Sequence, residues 1–162
     1  MDGSEGGKAA LREVMGSYPT GVTIVAGCDE AGEPFGLTVN SFTSVSLDPP
    51  LVLVCIGHTS SAHDRLVLGS GFSVNVLSGT QGDIAGRCAS EPSEGRFDEV
   101  SWRASASGAP ILDGVAAWLD CVVHEVLEGG DHSIVLGRVV EASVTDRPAL
   151  LFYRGRLSST DQ

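Results

Sequence analysis

The sequence predicts a mainly β protein, a Greek-key-like antiparallel barrel that is closed or partly closed and has short flanking helices. Most of the chain consists of short apolar or alternating runs, which are typical of strands. Glycine is frequent, at 21 of 162 residues, which favours a turn-rich chain over a helical bundle. No GxGxxG motif follows a predicted strand, and long helices do not alternate with strands, so a Rossmann domain is not expected.

The length fits one domain, which we place at residues 8–158. Residues 1–7 are small, polar and glycine-rich, and we expect them to be disordered. Apolar residues at helical spacing predict a helix over 8–17, which Pro19 ends. Further short helices are predicted at 61–68 and 84–89. Strands are predicted at 21–27, 37–46, 51–56, 72–77 and 149–153, and a long hairpin is predicted to pair 115–127 with 132–144.

Two predicted strands carry specific expectations about their faces. Strand 37–46 alternates, so Val39 and Ser41 are expected on one face and Asn40 and Ser44 on the other. Strand 51–56 is apolar throughout, so we expect both of its faces to be covered.

The net charge of −11 repels polyanions, so neither DNA nor RNA is an expected partner. A phosphorylated cofactor would need local donors, because the surface as a whole is acidic. Cys55 and Cys121 lie in apolar runs and are predicted to be buried, reduced thiols, and no metal site is expected. No stretch resembles a signal peptide or a membrane span, so we expect a cytoplasmic protein without a membrane partner.

Small hydroxyl and amide side chains are dense in residues 38–46. Short donors on a strand suit a ligand rich in acceptors, such as a flavin with its ribityl chain and phosphate. The pattern fits equally well a half-exposed strand with a polar outer face. From periodicity alone, both interpretations stay open.

Two further segments are candidate sites. Residues 58–62 (HTSSA) precede a predicted helix start, where free N–H groups favour a phosphate, although helix capping by Ser60 or Ser61 is the more common role. Residues 130–132 (GDH) form a predicted hairpin turn with an exposed His132. A histidine at a barrel rim can hydrogen-bond or stack on a substrate, although an exposed turn histidine is the simpler interpretation.

Taken together, these segments resemble the short-chain flavin reductases, the reductase partners of two-component flavin monooxygenases. The resemblance covers roughly residues 11–156, and its most specific part combines a long block ending in Pro-Pro with a downstream Gly-Asp-His. The matching segments are 19–23 (PTGVT), 36–50 (GLTVNSFTSVSLDPP), Ser60, 72–77 (FSVNVL), Gln81, 130–132 (GDH) and 137–139 (GRV).

The resemblance implies an FMN-binding split barrel, a homodimer, and reduction of FAD or FMN by NADH or NADPH. The sequence has no obvious arginine cluster that could bind the 2′-phosphate of NADPH, so NADH is favoured. Reductases of this type often supply oxygenases that use FAD, which weakly favours FAD over FMN. Reduced flavin would pass to a separate monooxygenase, so we expect moderate flavin affinity. The cofactors carry the hydride chemistry, and the protein orients them.

The resemblance also implies roles for individual residues. His132 would orient the nicotinamide, Cys55 and Ile56 would offer backbone groups to the flavin ring, and Arg87 would be a further cofactor contact beside Cys88, where the family often has an aromatic residue. The remaining flavin contacts would be Thr38, Val39, Asn40, Ser41 and Ser44, with Ser60, Ser61 and Ala62 holding phosphate.

Two alternatives share the predicted fold. A pyridoxamine-phosphate oxidase-like enzyme would need basic phosphate ligands along the strands, and arginine is sparse before Arg65. The other alternative is a non-catalytic flavin- or haem-binding module.

Overall fold

The computed structural model describes residues 5–90 and 95–161, and antiparallel strands dominate it. The helices are α1 (Glu5–Gly16), α2 (Gly82–Ala89) and a 3-10 helix (His63–Arg65). The strands are β1 (Thr20–Gly21), β2 (Thr23–Cys28), β3 (Pro34–Val39), β4 (Thr43–Leu47), β5 (Pro50–Gly57), β6 (Gly71–Val76), β7 (Trp102–Ala104), β8 (Pro110–Leu112), β9 (Ala117–Gly129), β10 (His132–Val144), β11 (Leu150–Tyr153) and β12 (Arg156–Ser159). The predicted mainly β class is confirmed.

Seven strands form the main sheet, in the order β3-β2-β6-β9-β10-β5-β4. Its two edge strands, β3 and β4, follow each other in the chain with only residues 40–42 between them. Such a link spans at most about 14 Å, whereas seven strands laid flat would separate their edges by about 29 Å. The sheet therefore curls into a barrel, and the barrel is split between β3 and β4.

The sheet has apolar clusters on both of its faces. Val25, Val54 and Phe72 belong to the cluster inside the barrel, whereas Ile24 and Leu112 belong to a second cluster between the barrel and the elements outside it. Strand β2 faces both clusters, which is why its side chains are buried on both sides. The predicted long hairpin is confirmed as β9 and β10, which pair from Ala117 with Val144 to Gly129 with His132.

The alternation predicted over residues 37–46 is wrong after Val39. The chain leaves the sheet at Asn40 and re-enters it at Thr43 on the opposite edge, where β4 pairs with β5. A strand pattern cannot reveal such a crossing, because the polar residues at 40–42 suit a strand and a link equally well.

Strand β5 also differs from expectation. Val52, Val54 and Ile56 are buried, but Leu51, Leu53 and Cys55 on its other face are only half-buried. Cys121 is fully buried as predicted, whereas the prediction of a buried Cys55 is wrong.

Regular secondary structure extends beyond both limits of the domain predicted at residues 8–158. Helix α1 begins at Glu5, whose carboxylate pairs with Lys8 at 3.3 Å in the first turn, so the prediction of disorder is wrong for residues 5–7. Residues 1–4 lie outside the described residues. At the other end, β12 was not predicted. It pairs with β11 as far as Ser159 and extends the domain beyond residue 158. No helix within the described ranges is long and apolar enough to span a membrane.

Candidate functional site

A cleft of about 1260 Å³ opens at the split of the barrel. One wall is the 40–43 link, and the other is made by the end of α1, residues 18–21 and the turn between β11 and β12. The cleft therefore lies between the segment that crosses the split and the separate sheet formed by β1, β11 and β12. Its lining is rich in hydroxyl and amide groups, which suits a polar organic ligand.

The Ser41 hydroxyl holds the link against the neighbouring strand. It accepts a hydrogen bond from the Cys55 amide at 2.9 Å and donates to the Cys55 carbonyl at 3.2 Å. Both backbone groups of Cys55 therefore point towards Ser41, and those of Ile56 point the other way, into the ladder with Ser133 of β10. The prediction that Cys55 and Ile56 offer backbone groups to the flavin ring stays a prediction: these groups are already paired, and a carbonyl oxygen can accept a second hydrogen bond.

Asn40 and Ser41 line the cleft, whereas the two preceding residues do not. The Thr38 hydroxyl donates to the Ala85 carbonyl of α2 at 2.7 Å. The Val39 side chain is 9% exposed and belongs to the core. The side chains of Thr38 and Val39 therefore do not line this cleft, and their flavin contacts stay a prediction.

Ser44 and Arg87 lie away from the cleft lining. Ser44 is exposed on β4 opposite Val52, beyond Thr43, which does line the cleft. Arg87 on α2 pairs with Glu99 at 3.2 Å beside a separate depression of about 250 Å³. The structure does not bring either residue together with Asn40 and Ser41.

The predicted helix start near Ser60 is a tight turn that leads into a single turn of 3-10 helix. The Ser60 hydroxyl accepts from the Ala62 amide at 3.3 Å, and the His63 amide donates to the Ser60 carbonyl at 3.0 Å. Ala62 is buried, whereas Ser61 is exposed. The amides of Ala62 and His63 are thus already paired, and phosphate binding by Ser60, Ser61 and Ala62 stays a prediction.

His132 begins β10 directly opposite Gly57, the last residue of β5. A Cβ atom built on Gly57 would lie 3.5 Å from His132 Nε2, so the imidazole ring lies beside this glycine. His132 Nδ1 donates to the Asp131 carboxylate at 2.7 Å, and this hydrogen bond lowers the pKa of Asp131. The His58 amide donates to the Asp131 carbonyl at 3.0 Å, which joins the 58–62 segment to the predicted Gly-Asp-His turn.

His63, which was not predicted, ties the same segment to the barrel. Its Nδ1 donates to Asp64 at 2.7 Å, and its Nε2 accepts from the Ser133 hydroxyl at 2.9 Å. The His58 and His63 rings meet edge to face, with their centroids 4.9 Å apart. No pattern could have indicated the contact between His63 and Ser133, because 70 positions separate them.

Sequence reasoning also missed most of the second wall of the cleft, including Arg12, Ser17, Thr20 and Arg154. Thr20 is the most informative of these residues. Its hydroxyl oxygen is buried and has no hydrogen-bond partner among the residues that the structure describes. Such a group costs free energy unless a ligand or water satisfies it. The sequence signal that could have indicated Thr20 was the family motif at residues 19–23 (PTGVT).

No cysteine or histidine lines the cleft in the described parts of the chain, and Glu13 is its one carboxylate there. The lining can bind and orient a ligand, but it offers no pairing of a nucleophile with a base. The barrel and its cleft therefore define a split barrel whose cleft is lined by groups that can bind and orient a ligand.

The comparisons with known proteins identify the family. The Flavin reductase like domain matches residues 15–161, so the chain belongs to this family. A probable flavin reductase of Rhizobium meliloti is 45% identical over 146 residues, which cover 90% of this chain and 47% of that protein. The reductase component of an Acinetobacter baylyi flavin-dependent trigonelline monooxygenase is 42% identical over 156 residues, 93% of this chain and 50% of that protein. The chain thus spans about half the length of these relatives.

A solved structure agrees with the family. The NADH:FAD oxidoreductase of Streptomyces globisporus, solved with NAD and FAD fragments, superposes with a TM-score of 0.88 and 43% identity. The match covers 95% of this chain and 93% of that chain.

Proposed function

We propose that this chain is an NADH-dependent flavin reductase that binds FAD or FMN at the split of the barrel and supplies reduced flavin to a separate monooxygenase. The observation that carries the proposal is the buried, unpaired Thr20 hydroxyl in a cleft that Asn40 and Ser41 line from the other wall. A flavin is rich in hydrogen-bonding groups along its ring edge and ribityl chain, so it fits these donors. When both cofactors are bound, NADH supplies a hydride and the flavin accepts it.

The residues of the chain bind and orient, and they need not transfer protons. Thr20 and Asn40 offer polar groups to the flavin from the two walls of the cleft. Ser41 fixes the link on β5 through its two hydrogen bonds to Cys55. Gly57 lies two residues beyond Cys55, about 7 Å along the strand from the Ser41 contact, so we assign His132, which pairs with Gly57, to the nicotinamide.

Purified protein, NADH and free flavin test the proposal, with all four pairings of NADH or NADPH with FAD or FMN. We expect steady loss of nicotinamide absorbance that depends on added flavin and is fastest with NADH. Flavin binding without turnover would support the non-catalytic module instead. Failure to bind any flavin would overturn the proposal.

A substitution at Thr20 tests separately whether its unpaired hydroxyl contacts the flavin. Thr20→Val removes a buried hydroxyl that lacks a partner, so the ligand-free protein should be as stable as the wild type or more stable. Its affinity for flavin, measured by quenching of flavin fluorescence, should nevertheless fall. Thr20→Ser keeps the hydroxyl and should retain the affinity. Equal flavin affinities for all three proteins would exclude Thr20 as a contact.

The monooxygenase partner is part of the proposal because the Acinetobacter baylyi relative is named as a reductase component of such a system. A reductase that serves a second enzyme must release its product. We therefore expect flavin to leave the protein on extensive dialysis. A flavin retained through dialysis would indicate a bound prosthetic group.

We also propose a homodimer. The half-buried outer face of β5 and β10 carries the adjacent apolar pairs Leu53–Leu136 and Cys55–Ile134, with Leu127 of β9 beside them. A second copy would cover this apolar patch. Sedimentation should give twice the mass of one chain, and Leu136→Glu should give the monomer. Val140→Glu, an exposed β10 position outside the patch, should leave the dimer intact.

The cytoplasm remains the proposed location. A reductase that consumes NADH works where NADH is regenerated. All four cysteines are free thiols, which is usual in a reducing compartment.

A further inference from the structure

The turn between β11 and β12 has an unusual residue at its first central position. Arg154 has a φ of 47°, and Gly155 follows with a φ of 74°. Two successive residues in the left-handed region make a two-residue turn that favours Asn-Gly, because most side chains are strained there. An arginine at this position costs stability, and such a cost is often found at binding sites.

The Arg154 side chain points back into the wall of the large cleft. Its Nε and Nη2 atoms donate to the Ser17 hydroxyl at 3.2 and 3.1 Å, and the guanidinium lies 5.4 Å from the centre of the Tyr153 ring. These contacts hold the guanidinium in place and use two of its five N–H groups. No carboxylate of a described residue lies within ion-pair distance of it.

Arg12 of α1 lines the same wall and likewise has no ion-pair partner among the described residues. Two cations on one wall contrast with a chain whose net charge is −11 and which has only ten Lys and Arg residues. Glu13 is the opposing carboxylate at this wall. A guanidinium that keeps free N–H groups and lacks a carboxylate is well suited to a phosphate group.

We infer that Arg154, assisted by Arg12, forms an anion subsite that binds the phosphate of the adenylate half of FAD, so that this chain selects FAD over FMN. The inference rests on the proposed function, because it assumes that the flavin ring occupies the same cleft. FAD and FMN share the ring and the ribityl phosphate, and only FAD adds a second phosphate with an adenosine. Arg154 is therefore a specificity-determining residue for the flavin.

The substitution Arg154→Asn separates binding from folding. Asparagine adopts the left-handed conformation more readily than arginine, so the turn should be at least as stable. We expect the Kd for FAD, measured by equilibrium quenching of flavin fluorescence, to rise about tenfold with the loss of a charge-assisted hydrogen bond. The Kd for FMN should stay within about twofold of the wild-type value, because FMN makes no use of this subsite.

Matched variants complete the test. Arg156→Asn removes the same charge from the same hairpin at an exposed position outside the cleft lining, and it should change neither Kd. Arg12→Gln should weaken FAD binding in the same direction as Arg154→Asn. Arg154→Lys keeps the charge and should recover part of the FAD affinity.

The outcomes are distinct. Equal weakening of FAD and FMN in Arg154→Asn would show that Arg154 merely holds α1 through Ser17, and it would overturn the inference. Unchanged affinity for FAD, or a rise confined to the KM for NADH, would also overturn it. A wild-type protein that binds no flavin would instead be a failure of the proposed function.

Discussion

The Ser41 hydroxyl continues the edge of the barrel in place of a backbone, because it satisfies both the amide and the carbonyl of Cys55. Strand β4 pairs with β5 only as far as Leu53, opposite Thr43. Two residues further along β5, at Cys55, the Ser41 hydroxyl makes the hydrogen bonds that a neighbouring strand would otherwise make. This arrangement lets the chain cross the split of the barrel while the edge of β5 remains paired.

Removing this hydroxyl should destabilise the barrel edge. Ser41→Ala leaves two half-buried backbone groups of Cys55 without partners, and we expect a loss of about 1–3 kcal/mol in the free energy of unfolding. Urea denaturation measures this loss. Ser44→Ala, an exposed position on the neighbouring strand, should stay within about 0.5 kcal/mol of the wild type. A Ser41→Ala protein as stable as Ser44→Ala would show that water replaces the hydroxyl.

Replacing His132 should affect the nicotinamide rather than the flavin. If the imidazole beside Gly57 orients NADH, His132→Ala should raise the KM for NADH about fivefold to tenfold, the cost of one hydrogen bond. The Kd for flavin should not change. His124→Ala removes an exposed histidine of β9, in the same long hairpin, and serves as the control. Identical kinetics for the two variants would exclude His132 from the nicotinamide site.

Alkaline pH should destabilise the fold through Cys121. Burial raises the pKa of this thiol from its ordinary value of 9.0 to about 12. Above pH 9 the unfolded chain loses the thiol proton while the folded chain keeps it, so stability falls as pH rises towards 12. One such group contributes a slope of up to about 1.4 kcal/mol per pH unit.

Urea denaturation between pH 8 and pH 10 can isolate this contribution. The stability difference between the wild type and Cys121→Ala should be constant near pH 8 and should shrink above pH 9. A difference that does not depend on pH would mean that Cys121 titrates alike in the folded and unfolded chains.

The absence of a side chain at Gly137 is required by the ring of Phe72. A Cβ atom built on Gly137 would lie 2.8 Å from Cε1 of that ring, and the ring is fully buried. Gly137→Ala should therefore cost about 1–3 kcal/mol through overpacking. Gly21→Ala, where an added Cβ meets nothing within 4 Å, is the control for the loss of a glycine.

A double variant identifies the cause of the Gly137 effect. Phe72→Leu shortens the side chain that the new methyl group meets, so the cost of Gly137→Ala should be smaller in that background. Additive costs in thermal or urea unfolding would show that the strain arises elsewhere.

The sequence alone determined several of the strands, the long hairpin and the family. Apolar runs and glycine turns are local properties, so β2, β5 and the β9–β10 hairpin could be predicted from short windows. The block at 36–50 and the Gly-Asp-His turn indicated the family, and Asn40 and Ser41 do line the cleft.

Only the tertiary structure decided which polar groups remain available to a ligand. The Thr38 hydroxyl and the Cys55 amide are hydrogen-bonded to residues outside their own strands. The Thr20 hydroxyl has no hydrogen-bond partner among the described residues. Arg154 reaches the cleft by contacting Ser17, 137 positions away. Hydrogen bonding and burial are settled by distant neighbours, which a local pattern does not contain.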